Sequence, residues 1–141
     1  MTLYLDTSAL VKLYLDEEGH ELVIRAVDEA PRVTTSTVAY AETRAAFARR
    51  NREGTFDDEE YLRAITTLDE DWRDFTRLAV SNLVAYRAGT LAEQYALRGF
   101  DAIHLASAVR LEERFEDLRF LVFDERLTDA ARRVIPVYEE R

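Results

Sequence analysis

The sequence predicts an α/β fold with a mostly parallel sheet that is covered by helices on both faces. Short apolar runs with β-favouring side chains alternate with longer helical patterns along the whole chain, and such alternation is typical of βα units. The chain has only four Gly and two Pro, which argues against a loop-rich or all-β fold. We find no linker and no internal repeat, and therefore predict one domain over residues 1–141.

Composition limits the class of protein. The apolar fraction is 48% and the charged fraction 33%, which indicates a globular chain. The lack of Cys excludes disulfides, thiolate metal sites and cysteine nucleophiles. No apolar run approaches the roughly 20 residues that span a bilayer, and the N-terminus lacks the pattern of a signal peptide. We therefore expect a soluble cytoplasmic protein with no membrane partner.

The first predicted strand is the apolar run Leu3–Leu5, which ends at Asp6. Ligands collect at the carboxyl ends of strands in open α/β sheets, so this Asp is the first candidate for chemistry. Thr7 or Ser8 is the predicted cap of a helix over residues 9–15. We predict that the first strand is the central strand of the sheet.

The remaining elements follow from periodicity and from start and stop signals. Further strands are predicted at 32–35, 77–80 and 119–123, with a fifth candidate at 134–138. Helix starts are predicted at Ser36 or Thr37, Asp57, Asn82, Asp101 and Glu125, and helix stops before Pro31 and at Gly54 and Gly99. The sheet should thus contain four to five strands.

Four acidic residues stand at positions where elements end or begin. Asp6 ends the first strand and Asp124 the fourth, Asp101 starts a helix, and Glu42 lies in an Ala-rich helix after the second strand. In a parallel sheet all four can converge on one edge. Close carboxylates in a partly dry cleft repel one another, so they must protonate or share a cation. Mg²⁺ or Mn²⁺ suits oxygen ligands, and the pattern suggests metal-dependent hydrolysis of a phosphodiester.

Each of these residues also has an ordinary structural explanation. Asp101 could be a simple helix cap, and Asp6 and Asp124 could be turn residues. Glu42 alone could be a solvated helix residue. The joint arrangement at four element ends favours a site over these separate explanations.

Four segments together resemble the PIN-domain family, and within it the VapC-type toxin ribonucleases of toxin–antitoxin pairs. They are Leu5–Leu10, Ala41-Glu42, Asp101–Ala108 and Phe123-Asp124. The resemblance runs through the chain in order, and Asp101–Ala108 is its most specific part. It implies a parallel sheet flanked by helices and Mg²⁺- or Mn²⁺-dependent cleavage of RNA. It also implies a homodimer and inhibition by a small cognate antitoxin.

The resemblance also implies roles for individual residues. The acidic quartet that would bind the metal and carry catalysis matches Asp6, Glu42, Asp101 and Asp124. Ser8 matches the small polar residue that supports the first Asp. The match is loosest around Asp124, so Glu125 or Asp129 could share its role.

The sequence argues against two other functions and leaves a third open. A signalling receiver domain needs adjacent acidic residues after the first strand and a Lys near the end of the fifth, but Asp6 is followed by Thr7 and Lys12 is the only Lys. A haloacid-dehalogenase-type phosphatase needs a second Asp where Ser8 stands. A catalytically silent PIN-like module that binds RNA or protein stays open, although the intact acidic quartet argues against it.

Several features carry weaker predictions. The net charge of −9 means that phosphate recognition needs a local Arg cluster or a bound metal. An RNA-facing patch of Arg44, Arg49, Arg50 and Arg52 and ordinary helix-end charge are both open. We expect His104 to pack or hydrogen-bond within its helix face, and His20 to be exposed. The apolar stripe Tyr61–Phe75 should be core first, with part of it available for a dimer or antitoxin interface.

Overall fold

Strands and helices alternate along the chain as the sequence predicts. The computed structural model describes residues 1–140, and Arg141, the last residue of the predicted domain, lies outside the described residues. The strands are β1 (Thr2–Leu5), β2 (Arg32–Ser36), β3 (Thr76–Leu78) and β4 (Leu118–Leu121). The helices are α1 (Thr7–Tyr14), α2 (His20–Glu29), α3 (Val38–Arg52), α4 (Asp58–Asp74), α5 (Asn82–Tyr95), α6 (Gly99–Glu112) and α7 (Glu125–Arg132).

The four strands form one sheet in the order β3-β2-β1-β4, and every pairing is parallel. β1 is an inner strand between β2 and β4, which confirms the prediction that the first strand is central. Leu5 pairs with Leu121, so β1 and β4 end at the same edge of the sheet. The buried hydroxyls of Thr34 and Thr35 on β2 donate to the carbonyl oxygens of Leu3 and Leu5, which satisfies polar groups that burial would otherwise destabilise.

Helices cover both faces of the sheet. Tyr4 and Phe120 point into a core layer built with α5, α6 and α7. Leu3 and Leu5 point the opposite way, into a layer built with α1, α2, α3 and α4, because successive side chains of a strand alternate between its faces. The stripe Tyr61–Phe75 packs into this second layer as predicted. The longest helix, α4, has 17 residues, and no helix within residues 1–140 is long and apolar enough to cross a membrane.

The prediction of a possible fifth strand at 134–138 was wrong. This segment makes one isolated parallel bridge, between Val137 and Phe120. The Phe120 N–H donates to the Pro136 carbonyl, and the Tyr138 N–H donates to Phe120 in return. A longer ladder does not form, and Pro136 provides a reason, because proline has no N–H to donate to a neighbouring strand.

Two helix starts differ from the prediction by one or two residues. Asp6, and not Thr7 or Ser8, caps α1, because its side chain accepts from the Ala9 N–H. Ser81, and not Asn82, caps α5 by accepting from the Val84 N–H. Both caps are short polar side chains with extended backbone, so the correct residue type was found and only its position was misplaced.

The start of α6 differs in a way that matters for the site. Gly99 was predicted to stop α5, but α5 ends at Tyr95, and the next residue, Ala96, adopts a left-handed conformation with φ 53°. Gly99 instead begins α6, with Arg98 in the capping position. Asp101 is therefore not a helix cap and lies in the first turn, so its position is not explained by capping.

Candidate active site

Asp6 leaves β1 at the sheet edge and is almost fully buried, with 3% of its surface exposed. Its Oδ1 atom accepts hydrogen bonds from Ser8 Oγ at 2.7 Å and from the Ala9 N–H at 3.0 Å. Burial raises the pKa of this carboxyl. The charge of His104 and the two hydrogen bonds oppose that rise, and the negative charge of Asp101 adds to it. Asp6 is thus a buried carboxylate that is held in one orientation.

Ser8 connects Asp6 to the loop after β4. Its hydroxyl donates to Asp6 and accepts from the Phe123 N–H at 3.2 Å. Since Phe123 directly precedes Asp124, this one hydroxyl joins the two strand ends from which acidic residues project. Ser8 therefore couples the positions of two of the four predicted site residues.

Glu42 projects from α3 toward the same edge and has 27% of its side chain exposed. Its Oε1 atom accepts from Thr7 Oγ1 at 2.6 Å and from His104 Nε2 at 3.1 Å. Partial burial alone would raise the pKa of Glu42, but the hydrogen bonds from His104 and Thr7 outweigh it and lower the pKa. Glu42 therefore stays ionised where α1, α3 and α6 meet.

The ring of His104 is fixed from both sides. Nδ1 lies 2.8 Å from the Tyr4 hydroxyl, and Nε2 lies 2.9 Å from Thr7 Oγ1. Because the Thr7 hydroxyl donates to Glu42, its oxygen is left to accept from His104, so we assign the ring proton to Nε2. Nδ1 then accepts from Tyr4. His104 hydrogen-bonds within the protein, as the sequence predicted, and it also contacts a predicted site residue.

Asp101 stands in the first turn of α6 and is partly buried. Burial raises the pKa of its carboxyl, and the negative charge of Asp124 is the next cause, with Glu42 contributing in the same direction. The helix that carries Asp101 thus brings it into the field of acidic residues from two other elements.

Asp124 lies three residues beyond the end of β4 and is exposed. It caps α7 by accepting from the Leu127 N–H at 2.8 Å. Of the three residues considered for this position, Asp124 is the one whose charge raises the pKa of Asp101. Asp129 instead lies 3.9 Å from Arg132, and Glu125 is in the first turn of α7.

The four predicted carboxylates thus lie in one electrostatic neighbourhood at the carboxyl edge of the sheet. Asp101 acts on Asp6, and Asp124 and Glu42 act on Asp101. Within residues 1–140, however, no group of three or more His, Asp or Glu side chains is placed to hold a metal ion. The donors are all carboxylate oxygens, which suit hard divalent cations such as Mg²⁺. Neither Asp6 Oδ2 nor Glu42 Oε2 accepts a hydrogen bond from the described residues.

The sequence did not indicate two contacts around the predicted site, those of Thr7 and Tyr4, and the prediction for His20, which lies elsewhere, was wrong. Thr7 was assigned only a capping role, but it bonds Glu42, and Tyr4 was treated as a strand residue, but it holds His104. A polar atom on an otherwise apolar inner strand was the available signal for Tyr4. His20 was expected to be exposed, but it is partly buried and its Nδ1 lies 2.6 Å from the Lys12 carbonyl oxygen.

The predicted arginine patch is largely engaged within the chain. Arg49 pairs with Glu53, and Arg50 pairs with Glu17 at 2.7 Å. Arg44 donates to the Tyr40 hydroxyl at 2.8 Å. These contacts within the protein favour ordinary charge on α3 over an arginine patch that faces RNA.

Sequence comparison finds a family model and a curated protein that match most of the chain. The PIN-domain family model matches residues 3–133. The chain is 38% identical over 132 residues to Ribonuclease VapC45 of Mycobacterium tuberculosis, covering 91% of this chain and 88% of that protein.

Two solved structures share the fold at low sequence identity. One is a toxin–antitoxin complex from Klebsiella pneumoniae, with TM-score 0.62, 18% identity and coverage of 88% of this chain and 87% of that chain. The other is Mycobacterium tuberculosis VapC20, a Sarcin-Ricin loop cleaving toxin, with TM-score 0.66, 17% identity and coverage of 91% and 94%. With the family match over most of its length, the chain belongs to the PIN-domain family.

Proposed function

We propose that this protein is a metal-dependent endoribonuclease and acts as the toxin of a toxin–antitoxin pair. The observation that carries the proposal is the shared field of Asp6, Glu42, Asp101 and Asp124 at one edge of a parallel sheet. Close carboxylates raise one another's pKa, and a bound cation would relieve that repulsion. The ribonuclease name of the 38% identical relative supports RNA as the substrate.

The residues present suit Mg²⁺ or Mn²⁺ that keeps much of its water. Mg²⁺ commonly binds proteins through one or two carboxylates and retains several waters, so its binding would not require a cage of three side chains. Asp6 and Asp101 would provide the direct contacts, with Glu42 and Asp124 holding coordinated waters. Such an ion lowers the pKa of a bound water and neutralises charge on a phosphate.

The chain itself orients the groups around the scissile phosphate. Ser8 and the Ala9 N–H keep Asp6 Oδ1 turned inward, which leaves Oδ2 for the cation. Thr7 and His104 hold Glu42 ionised, so its Oε2 atom can accept a hydrogen bond from a water beside the phosphate and orient that water. Hydrolysis in this arrangement would leave a 5′-phosphate and a 3′-hydroxyl, as the family resemblance implies.

The proposal includes protein partners. A small cognate antitoxin would bind the toxin and block the acidic edge, and the toxin would act as a homodimer in the cytoplasm. The supporting observation is that a structure with the same fold is a toxin–antitoxin complex.

The deciding experiment measures RNA cleavage with Mg²⁺ or Mn²⁺ and with excess EDTA. Asp6→Asn should abolish cleavage and keep the fold, since Asn retains an oxygen to accept from Ala9 and removes the charge. Asp28→Asn is the matched control, because Asp28 is an exposed residue of α2, and it should cleave normally. Full activity of Asp6→Asn, or of the wild type in EDTA, would contradict the metal mechanism.

A catalytically silent PIN-like binding module is the second candidate. It is favoured by one observation, namely that no three His, Asp or Glu side chains within residues 1–140 are placed to hold an ion. Calorimetric titration with Mg²⁺ distinguishes the two. Binding that is lost in Asp6→Asn and kept in Asp28→Asn supports the nuclease, whereas RNA binding without Mg²⁺ binding or cleavage supports the silent module.

A further inference from the structure

A cavity of about 460 Å³ opens directly beside two of the acidic residues. Glu42 and Asp101 form its acidic side, and Arg98, Gly99, Phe100 and Ile103 complete its lining. The start of α6 thus carries a site carboxylate and the apolar wall of this cavity on adjacent residues. Its volume lies in the range of pockets that hold small ligands.

Phe100 is the most unusual part of this lining. Its side chain belongs to neither core layer, and 56% of its surface is exposed. It sits in the first turn of a helix of 14 residues, so its backbone is fixed relative to Asp101, the next residue. An exposed ring in a fixed place beside a polar site suits contact with a flat, partly apolar ligand.

Arg98 adds to the same cavity a positive charge that has no hydrogen-bond partner among the described residues. It is exposed, and no described residue forms a hydrogen bond or ion pair with its guanidinium. Its charge nevertheless acts on the Asp101 carboxyl. In a chain of net charge −9, a free guanidinium at the acidic edge is suited to a phosphate that the remaining surface repels.

We propose that this cavity binds one unpaired nucleobase of the RNA, stacked on Phe100, with Arg98 on an adjacent backbone phosphate. The inference rests on the proposed nuclease function, since the acidic edge would hold the scissile phosphate of the same strand. Every nucleobase has a flat face that stacks on an aromatic ring, so the contact needs no particular sequence. A base paired inside a duplex is not free to enter the cavity. The RNA is therefore unpaired at the nucleotide that enters the cavity.

The test compares two fluorescent probes of equal charge in the inactive Asp6→Asn background, with EDTA in place of a metal ion. One probe is a single-stranded oligoadenylate, and the other is the same sugar–phosphate chain with its bases removed. Phe100→Ala should weaken binding of oligoadenylate by about 5- to 100-fold, the range that one base–aromatic stack supplies. It should leave binding of the abasic chain unchanged. Phe100→Trp should restore oligoadenylate binding.

Two further variants separate stacking from charge and from fold. Tyr86→Ala removes an aromatic side chain that is 74% exposed on α5 and outside the cavity lining, and it should bind both probes like the parent. Arg98→Ala should weaken both probes equally and reduce the salt dependence of binding, because it removes a phosphate contact. Circular dichroism of each variant confirms the fold.

The outcomes that overturn the proposal are specific. Unchanged oligoadenylate affinity in Phe100→Ala, or an equal loss on the abasic chain, would show that the ring does not contact a base. A Phe100→Ala variant that keeps RNA affinity but no longer self-associates, or no longer binds an antitoxin, would assign the cavity to a protein partner. If the wild type cleaves RNA and Phe100→Ala cleaves it with unchanged KM, this inference fails alone. If the wild type neither binds nor cleaves RNA, the proposed function fails as well.

Discussion

The Nε2 atom of His104 lies 3.1 Å from Oε1 of Glu42, and this contact joins α6 to α3 at the carboxyl edge of the sheet. His104 is 1% exposed, and its other nitrogen meets the Tyr4 hydroxyl at 2.8 Å. An inner strand residue thus sets the orientation of the ring that orients the carboxylate. The ionised state of Glu42 depends on this chain of contacts, since partial burial alone would raise its pKa.

Tyr4→Phe tests the inner end of that chain. The change removes only the hydroxyl and leaves Nδ1 of His104 buried without its partner, which costs about 1–3 kcal/mol. We expect the free energy of unfolding in urea to fall by about that amount, with a reduced rate of RNA cleavage. In ¹⁵N NMR spectra, the wild type should show the proton of His104 on Nε2 alone. A His104 proton on Nδ1 in the wild type, or unchanged stability in Tyr4→Phe, would contradict the assignment.

Thr7→Val tests the outer end. Valine has nearly the shape of threonine but lacks the hydroxyl that donates to Glu42 at 2.6 Å. Since this bond lowers the pKa of Glu42, its removal should raise that pKa, as measured by ¹³C NMR titration of the carboxyl in metal-free protein. Thr7→Ser retains a hydroxyl and is the control that should keep the wild-type pKa. Equal titration curves for the Val and Ser variants would exclude Thr7 from the site.

The sequence was sufficient for the layered fold and for the candidate carboxylates. Leu3 and Leu5 belong to an apolar run that ends at Asp6, and this pattern can be recognised from the local sequence without the tertiary structure. The position of Asp6 at the sheet edge follows directly, because strand ends converge in parallel sheets. What the pattern could not supply was the contact between residues distant in the chain. Tyr4 and His104 are separated by 100 positions, and no local rule pairs them.

The same limitation explains the errors at element ends. Asp101 occupies a position where a cap is common, and periodicity cannot distinguish the cap from a first-turn residue two or three positions later. The left-handed Ala96, with φ 53°, stops α5 where a glycine would be expected. The fifth candidate strand had suitable apolar residues, but it makes a single bridge at Val137. The kind of element was therefore predicted more accurately than the exact residue at which the element begins or ends.

Asp101→Asn should stabilise the metal-free protein at neutral pH. Burial and the charge of Asp124 raise the pKa of Asp101 in the folded state, so ionisation opposes folding. Below the ordinary Asp pKa of about 3.9 the group is protonated in both states and contributes nothing. As the pH rises from there through the raised folded pKa, the wild type loses stability relative to the variant. Above the folded pKa the full difference is present.

Urea unfolding in EDTA at about pH 3 and pH 7 measures this difference for Asp101→Asn against the wild type. Asp28→Asn, at an exposed position of α2, is the control and should track the wild type at both pH values. Added Mg²⁺ should then stabilise the wild type more than Asp101→Asn, because a ligand stabilises the state that binds it. A variant that is less stable than the wild type at neutral pH would contradict the charge repulsion inferred at this edge.

Gly19→Ala should destabilise the protein and lower its activity, although Gly19 precedes α2 and carries no functional group. Its φ of +95° is strained for other residues, and a Cβ would lie 2.8 Å from Cε1 of Phe123 and 2.9 Å from Cδ of Lys12. The flexible Lys12 side chain can move aside, but the Phe123 ring is attached next to Asp124, and the Phe123 N–H bonds Ser8. We expect a loss of about 1–3 kcal/mol in the free energy of unfolding.

Gly89→Ala is the matched control for this change. Gly89 lies within α5, and a Cβ placed there would have no heavy atom within 4 Å apart from its chain neighbours and the backbone of its own helix. Alanine should stabilise this helix by roughly 0.5–1 kcal/mol and leave RNA cleavage unchanged. If Gly19→Ala lost stability but cleaved RNA at the wild-type rate, the Phe123 loop would tolerate displacement. RNA cleavage would then not depend on the position that the contacts of Ser8 and Phe123 give to Asp124.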